Sequence, residues 1–418
     1  MKLFVHLLDS SMKNKFFDVL YPLVFLSAAL SVAQNRLNDD VPQRIILNLT
    51  EHPSHSIAVT WRTNTAFPNS EAQYAEATPW IEFEKTVSKT AAKSVKFEAE
   101  KDRFVFHYSA ILDNLKPSTP YLYRVGHDSV WSEWNQFKTA SDKDAPFKFV
   151  FLADAQNDIK EHVSRVFRQA YKIAPDADFW LFSGDLVKEP KDALWDEFFY
   201  AAGFIPRVMP SIMTPGNHDQ LKILIDGNET KTTPPIWKAH FTLPENGISG
   251  LEETCYYVDY QGVRFVMLNT NEKKEEQAQW LDKLLSDNPN TWTIVSFHYP
   301  FYNTGSDHIT QTTREIFAPI IDKYNADLAL VGHDHTYARS FKLRGGKIAA
   351  AGERGTVYVL SVSGPKAYDV NPFYKDIMVK MANQVQLFQV ISIEGNKLVY
   401  KSYTATGSLF DSFELLKK

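Results

Sequence analysis

The feature that most constrains the fold of this 418-residue chain is a series of short apolar segments that each end in polar residues. These segments have the length of strands and alternate with helix-like stretches, a pattern typical of a layered α/β domain. The polar residues that follow them are, in chain order, Asp154, Asp185, Asn217-His218-Asp219, His298 and His333-Asp334-His335. Because ligands of open α/β sheets bind outside the carboxyl ends of the strands, we expect these side chains to gather in one place.

These side chains form a candidate metal site. Their carboxylate and amide oxygens and imidazole nitrogens suit divalent ions such as zinc, manganese or iron. Glycines stand directly before Asp185, Asn217 and His333, where they allow tight turns that direct the next side chain to a common centre. The single cysteine, Cys255, excludes thiolate metal sites and an internal disulfide framework. Each element is common by itself, but their order at five strand ends favours a functional site.

An all-β module precedes this domain. Residues 42–140 show short alternating runs separated by turn residues, which predicts a β-sandwich. A Leu-x-Pro-x-Thr-x-Tyr-x-Tyr spacing that begins at Leu115 is similar to the tyrosine corner of fibronectin type III sandwiches. Another kind of sandwich is the alternative, and in either case the module supports or positions its neighbour. The polar segment 140–146 predicts a linker, and residues 146–418 predict the α/β domain, closed by antiparallel strands.

The N-terminal segment 1–34 predicts a secretory signal. Two lysines precede the apolar run Val19–Leu30, and the small residues Ser31 and Ala33 suit a cleavage site. The basic start lies after Met12, which favours Met12 as the true first residue. The apolar run is shorter than the ~20 residues of a membrane span and no cysteine follows it directly, so we expect no membrane anchor. The prediction is export to the periplasm or out of the cell; a buried N-terminal helix is the alternative.

Composition and net charge limit the kinds of molecule that we expect the protein to bind. The chain is 44% hydrophobic and 23% charged, as expected of a folded protein. Its formal net charge of −5 provides no general positive field, so nucleic acid is not expected as a stable partner. Nothing in the sequence indicates an oligomeric state.

The strand-end motifs resemble a known family. The motifs are Asp154-Ala155-Gln156, Gly184-Asp185, Gly216-Asn217-His218-Asp219, Val295-Ser296-Phe297-His298 and Gly332-His333-Asp334-His335. Together they resemble the signature of the calcineurin-like metallophosphoesterases, and the preceding sandwich makes the chain most similar to purple acid phosphatases. The resemblance implies an α/β layered β-sandwich flanked by helices, preceded by the fibronectin type III-like domain.

The resemblance also implies a centre of two metal ions. Asp185 would bridge both ions. Asp154 and His335 would complete the first site, and the second site would be completed by Asn217, His298 and His333.

Three further residues acquire roles from the resemblance. His218 would lie beside the substrate phosphate, where it stabilises charge or protonates the leaving oxygen, and Asp219 would orient it. His308, ten positions after His298, matches a phosphate-side histidine of plant members; a histidine of a surface loop is the alternative for this position.

Two positions depart from the purple enzymes. These enzymes have a tyrosine ligand of ferric iron three residues after the bridging aspartate, where this chain has Lys188. A protonated lysine binds no cation, so a divalent pair (zinc, manganese or iron) and a colourless protein are expected. Gln156 stands where they have glycine. It would bind the first metal through its amide oxygen or only line the cleft.

The function that the resemblance implies is a secreted, metal-dependent phosphatase acting on phosphorylated small molecules. Hydroxide activated by two metal ions would hydrolyse phosphomonoesters without a covalent intermediate. Two alternatives stay open. One is a phosphodiesterase or nucleotide pyrophosphatase that uses the same centre, and the other is a non-catalytic surface binding protein.

Overall fold

The computed structural model describes residues 41–225, 227–305 and 310–417. The predicted signal segment 1–34 and His308 lie outside the described residues. Within the described ranges, no helix combines the length and the apolar composition that a membrane span requires.

An all-β sandwich forms the N-terminal part of the described chain. Its strands are β1 (Gln43–Leu49), β2 (Ile57–Thr63), β3 (Glu71–Glu76), β4 (Ser88–Ala91), β5 (Lys93–Glu100), β6 (Arg103–Leu112), β7 (Pro120–His127), β8 (Val130–Trp131) and β9 (Asn135–Lys138). One layer has the order β1-β2-β6-β5 and the other β4-β3-β7-β8, with β9 paired to β7. The backbone N–H of Lys116 donates to the Tyr121 hydroxyl at 3.0 Å, which is the bond of a tyrosine corner.

Strand β2 is buried along its whole length, although the alternation that begins at Ile57 predicts a single apolar face. Inside the sandwich, the ring of Trp61 stacks on Tyr108 with centroids 5.6 Å apart. On the other face, Thr60 Oγ1 lies 3.1 Å from Thr242 Oγ1 of the second domain. The second domain therefore covers the face of β2 that carries the smaller side chains, Ala58 and Thr60.

The second domain contains two large sheets. Strands of the first are β10 (Phe147–Leu152), β11 (Phe179–Phe182), β12 (Ser211–Met213), β23 (Leu387–Glu394), β24 (Lys397–Thr404) and β25 (Leu409–Leu416). Strands of the second are β15 (Tyr256–Tyr260), β16 (Val263–Leu268), β17 (Trp292–Phe297), β18 (Leu328–Val331), β19 (Tyr337–Arg344), β20 (Lys347–Ile348), β21 (Thr356–Leu360) and β22 (Met378–Ala382). A hairpin is formed by β13 (Leu221–Ile225) and β14 (Asn228–Thr232). Strands β10–β12 are parallel to one another, as are β16, β17, β18 and β21.

Helices flank these sheets. They are α1 (Ser164–Ile173), which follows a π-helical turn at Ile159–Val163, α2 (Asp192–Ala202), α3 (Ile205–Val208), α4 (Pro235–His240), α5 (Lys274–Ser286) and α6 (Gln311–Tyr324). Short 3₁₀ turns lie at Ile81–Thr86 and Pro372–Ile377. The residue pattern of the sequence predicts helices at 160–173, 276–285 and 314–324, and these correspond to α1, α5 and α6. The apolar run at 208–213 predicts a strand; the strand that forms is shorter, Ser211–Met213, because α3 extends to Val208.

Aromatic side chains hold the two sheets together. Phe265 of β16 meets Phe149 of β10 and Phe179 of β11 edge to face, with ring centroids 5.2 and 5.3 Å apart. At the same place Phe147 lies 4.9 Å from Tyr260. Burial of such rings contributes roughly 2–3 kcal/mol each. The layered α/β fold and the preceding all-β domain predicted from the sequence are confirmed.

The sandwich and the first sheet of the second domain are continuous. Strand β1 runs parallel to β12 and pairs with it through Asn48 and Ser211, and the Asn48 amide donates to the Ser211 carbonyl at 3.1 Å. The result is one ten-stranded sheet of order β25-β24-β23-β10-β11-β12-β1-β2-β6-β5. A single hydrophobic core runs from the sandwich into the second domain.

Candidate metal centre

The predicted site residues lie on loops that leave two different sheets. Asp154, Asp185 and Asn217 follow β10, β11 and β12 of the first sheet, while His298 and His333 follow β17 and β18 of the second. The sequence pattern predicts one sheet edge; the structure instead brings the carboxyl ends of two facing sheets together. This arrangement lets groups from both layers surround one point.

Four of these residues have strained backbones. Their φ angles lie in the left-handed region, at 52° for Asp154, 52° for Asp185, 79° for His333 and 49° for His335. Such conformations cost on the order of 1 kcal/mol or more in residues other than glycine, and they cluster at functional sites. The fold therefore holds these side chains in directions that relaxed loops would not adopt.

Two groups of potential ligands share one carboxylate. Asp185, His298 and His333 form one trio, and Asp154, Asp185 and His335 form the other. Within each trio the ligand atoms lie within 4.8 Å of one another, and all the residues are buried. Asp185 belongs to both, which is the position of a carboxylate between two ions.

Hydrogen bonds fix the imidazole of His298. Its Nδ1–H donates to the Ser183 carbonyl at 2.9 Å, because a carbonyl can only accept. Nε2 therefore faces the centre, 3.1 Å from Asn217 Oδ1 and 3.2 Å from Asp185 Oδ2. A backbone acceptor behind a histidine is the usual device that orients a metal ligand.

Electrostatics favour positive charge at this position. Burial raises the pKa of Asp154 well above its ordinary value, and the charge of Asp185 adds to this rise. Burial acts in the same direction on Asp185, but the charge of His298 outweighs it and lowers the pKa of that carboxyl. For His298 itself, burial is outweighed by Asp185, and the pKa rises to about 9. The place of the His298 ring, beside the buried Asp185 carboxylate, suits a positive charge such as that of a metal cation.

Gln156 is buried inside the first trio. Its Nε2 donates to Asp185 Oδ2 at 2.8 Å and lies 3.0 Å from His335 Nε2. Two buried polar atoms here have no hydrogen-bond partner among the described residues, Gln156 Oε1 and His335 Nδ1. Buried polar atoms without partners are costly, and these observations suit a donor set that binds cations.

Glycine is required where two loops of the site touch. A Cβ on Gly216 would lie 2.2 Å from Asp185 Oδ1, and a Cβ on Gly184 would lie 2.4 Å from the Gly216 nitrogen. Gly184 also has φ of 94°, where other residues are strained. These glycines therefore permit close approach of the loops, in addition to the turns predicted for them.

Asp219 and His218 are connected through the loop that contains Lys188. His218 Nδ1–H donates to the Lys188 carbonyl at 2.8 Å. The Asp219 carboxylate accepts backbone N–H groups of Leu186 at 3.0 Å and Gly216 at 2.8 Å, and also that of Val187. The buried carboxylate thus satisfies backbone donors of this loop, and the orienting role of Asp219 stays a prediction. Asp219 holds the loop whose Lys188 carbonyl positions His218.

Sequence reasoning missed two tyrosines of this site. The ring of Tyr299 lies 4.5 Å from that of His333, and the ring of Tyr368 lies 5.1 Å from that of His335. Tyr299 directly follows His298, and this neighbouring position could have indicated that it belongs to the site. Tyr368 lies on a loop without a recognisable motif, so the sequence provided no such indication.

A third buried group of similar composition lies between the two domains. It contains His107, Asp192 and His240 together with Arg44 and Arg62, and we call these five residues the interdomain cluster. Arg44 Nη1 donates to Asp192 Oδ1 at 2.7 Å and to His240 Nε2 at 2.8 Å. Arg62 Nη1 donates to Asp192 Oδ2 at 2.9 Å. Guanidinium groups thus occupy lone pairs of Asp192 and His240 that a metal ion would use, whereas the buried His107 Nε2 has no hydrogen-bond partner among the described residues.

Comparison with known proteins agrees with this architecture. Residues 42–139 match the model of the purple acid phosphatase N-terminal domain, and residues 147–337 match that of the calcineurin-like phosphoesterases. The chain therefore belongs to the calcineurin-like phosphoesterases, in the group whose N-terminal domain is that of purple acid phosphatases. The family and the class of enzyme predicted from the sequence, a metal-dependent phosphatase, are confirmed.

Individual relatives are distant. The chain is 26% identical over 312 residues to a probable purple acid phosphatase 20 of Arabidopsis thaliana, covering 70% of this chain and 68% of the relative. It is 24% identical over 320 residues to an Fe(3+)-Zn(2+) purple acid phosphatase 12 of the same plant, covering 72% and 65%. The solved structure of purple acid phosphatase PPD1 from yellow lupin seeds has the same fold, with a TM-score of 0.78 at 18% identity over 90% of this chain and 74% of that one.

Proposed function

We propose that this chain is a phosphomonoesterase that uses two divalent metal ions and acts on phosphorylated small molecules. The observation that carries the proposal is the pair of buried trios that share Asp185. Membership of a phosphoesterase family supports the reaction class.

The donor set fits two ions. Asp185 would contact both, with Asp154, Gln156 and His335 on one side. The other ion would be held by Asn217, His298 and His333. When bound, such ions neutralise the phosphate oxygens and lower the pKa of water toward neutrality.

His218 is the residue of this chain best placed to move a proton. Its ring is partly exposed, and Nδ1–H donates to the Lys188 carbonyl, so Nε2 is the nitrogen left to hold or give a proton at the leaving oxygen. Asp219 keeps this geometry through the backbone bonds of Leu186 and Val187. No nucleophilic side chain is needed, so no covalent intermediate is expected.

The chemistry of Lys188 favours a divalent pair. No phenolate stands three residues after Asp185 to stabilise ferric iron, and the Lys188 side chain is exposed. We therefore expect the protein loaded with its native metals to be colourless. A visible charge-transfer band in its absorption spectrum would contradict this assignment.

We further propose that the protein is exported. The composition of segment 1–34 supports this location. N-terminal sequencing of the protein recovered from its native host should find a mature chain that begins near Gln34. A chain that begins at Met1 or Met12 would contradict export by cleavage.

The decisive experiment measures hydrolysis and metal content together. Protein loaded with zinc, manganese or iron should hydrolyse p-nitrophenyl phosphate faster than bis(p-nitrophenyl) phosphate, and should hold about two ions per chain. His298→Ala should lose activity and metal, because it removes a ligand from one trio. A faster diester reaction would make the protein a phosphodiesterase, and folded protein inactive with every metal would favour a binding function.

A further inference from the structure

A groove lies between helix α6, the 3₁₀ turn Pro372–Ile377 and the turn that joins β19 to β20. Its volume is about 730 Å³, which falls within the ~300–1,000 Å³ typical of ligand sites. None of the residues that line it belongs to the candidate metal centre. We call it the aromatic groove, and its ligand is a question separate from the proposed function.

Three aromatic rings stand nearly at right angles in the aromatic groove. The rings of Tyr302 and Tyr374 have centroids 5.4 Å apart and planes at 83°, and those of Phe373 and Tyr374 have centroids 4.8 Å apart and planes at 87°. Phe373 is 77% exposed, although burial of its ring would be favourable. Aromatic faces attract organic cations, so these rings suit a ligand that combines apolar surface with positive charge.

The hydroxyl of Tyr302 is available to a ligand in the aromatic groove. Tyr302 is only 5% exposed, yet its hydroxyl has no hydrogen-bond partner among the described residues. A Cβ on Gly346, in the turn that lines the groove, would lie 3.6 Å from the hydroxyl oxygen. Burial and the charge of Asp322 raise the pKa of Tyr302 to about 12. The hydroxyl therefore stays protonated and can both donate and accept.

Carboxylates outnumber cations in the lining of the aromatic groove. The lining contains Glu315, Asp322 and Asp376, and Arg314 is the only basic residue among its described members. None of the three carboxylates forms an ion pair within the described part of the chain, because the Arg314 guanidinium donates to the Tyr374 hydroxyl at 2.5 Å instead. The lining thus has a formal net charge of −2, which is complementary to a cation.

We propose that the aromatic groove binds a basic segment of a partner polypeptide, with a lysine or arginine side chain inserted into it. The charged end would bind the Asp322 carboxylate and the Tyr302 hydroxyl, and the apolar stem would pack on the ring of Phe373. A guanidinium has five N–H donors, so Arg314 keeps donors for main-chain carbonyls of the segment. This requirement for carbonyls, together with the size of the groove, favours a polypeptide over a small amine.

Calorimetric titration of the full chain tests the proposal. The probes are acetyl-hexalysine amide and the same peptide with every side chain acetylated, which keeps the stems and removes the charges. About 150 mM salt screens the long-range attraction of the net charge of −5. Hexalysine should bind at least ~10-fold tighter than its acetylated form, because charge-assisted hydrogen bonds are lost on acetylation. It should also bind at least ~10-fold tighter than n-butylammonium, which has no main chain for Arg314.

Two variants that leave the net charge unchanged assign the binding to the aromatic groove. Tyr302→Phe removes only the hydroxyl, and Phe373→Ala removes an exposed ring, so both proteins should fold. Each should weaken hexalysine binding by about 5–10-fold. Phe204→Ala is the matched control, since Phe204 is 53% exposed and lies outside the groove; it should bind hexalysine like the wild type.

The other outcomes overturn the proposal. Equal binding of both hexapeptides, or hexalysine binding that Tyr302→Phe and Phe373→Ala leave unchanged, would show that the groove recognises no basic segment. Binding of n-butylammonium as tight as that of hexalysine would assign the groove to small amines. Binding of cellohexaose that Tyr302→Phe and Phe373→Ala weaken, without hexalysine binding, would assign it to saccharides. Hydrolysis of p-nitrophenyl phosphate tests the proposed function and is unaffected by any of these results.

Discussion

Two buried regions of this molecule contain the same residue types but differ in how their polar atoms are paired. The candidate metal centre and the interdomain cluster both combine aspartate and histidine, with ligand atoms within 4.8 Å of one another. In the interdomain cluster, Arg44 and Arg62 donate to Asp192, and Arg44 also donates to His240. In the metal centre, the buried Gln156 Oε1 and His335 Nδ1 have no hydrogen-bond partner among the described residues.

The difference shows that residue types and distances do not define a metal site. Whether such a group can bind a metal ion depends on its surroundings. It depends on whether another side chain already balances the charge of the buried carboxylates and also occupies the lone pairs of the potential ligand atoms. A guanidinium does both, so the interdomain cluster is a structural connection. An imidazolium balances charge but is lost when its nitrogen binds a metal, so the centre stays available to cations.

Asp185→Asn gives the largest expected effect on this comparison. Removal of the shared charge should reduce hydrolysis of p-nitrophenyl phosphate by at least ~10³-fold, more than the ~10–100-fold typical of a group that only supports a ligand. Metal content measured by mass spectrometry should fall with it. Full activity in this variant would contradict the two-ion assignment.

Asp192→Asn tests the interdomain cluster in the same way. Two buried guanidinium groups lose their buried counter-charge and keep only the half-exposed Asp196 carboxylate, so the free energy of unfolding should fall by about 3–5 kcal/mol. Metal content should not change. Urea titration and metal analysis of the same sample check both expectations, and loss of metal from the folded variant would show that the cluster also binds ions.

The acid sensitivity of the interdomain cluster is the next prediction. Burial, with Arg44 and Arg62, lowers the pKa of His107 from 6.5 to about 3, and His240 shifts in the same direction, whereas Asp192 opposes the shift of His107. The folded state therefore binds fewer protons than the unfolded chain between these pH values. The free energy of unfolding is therefore highest above pH 6.5 and decreases as the pH falls. For His107 alone the decrease is about 2 kcal/mol at pH 5.

The variant His107→Gln provides the control for this pH dependence. It removes one titrating group, so the loss of stability between pH 7 and pH 5 should be smaller than in the wild type, as measured by urea unfolding at each pH. An unchanged slope would place the acid-sensitive groups elsewhere.

The smallest effect is expected outside both regions. Cys255 is buried in the core, where burial raises the pKa of its thiol to about 12, and it contacts neither region. Cys255→Ser should leave hydrolysis and metal content unchanged and lower the free energy of unfolding by about 1 kcal/mol. Loss of activity in a stably folded variant would show that thiol chemistry contributes.

Much of the site could be predicted from local sequence patterns. Each motif directly follows its strand in the chain, so its residues must lie at the end of that strand. Asp154 after β10 and His298 after β17 are examples. What could not be predicted depends on contacts between distant parts of the chain. The Arg44–Asp192 pair is separated by 148 residues, and no motif announces it. Likewise, the hydrogen bonds from backbone N–H groups to Asp219 could not be predicted, because a sequence lists the side chains but does not show which donors lie near them.

The pairing of β1 with β12 has a consequence for dissecting this protein. A fragment that begins at residue 146 would leave β12 as a bare edge, with unpaired N–H and C=O groups that template association with other chains. It would also uncover apolar surface now covered by β1 and β2. The N-terminal domain therefore covers the edge strand β12 of the second domain, and a fragment that lacks the N-terminal domain is expected to aggregate.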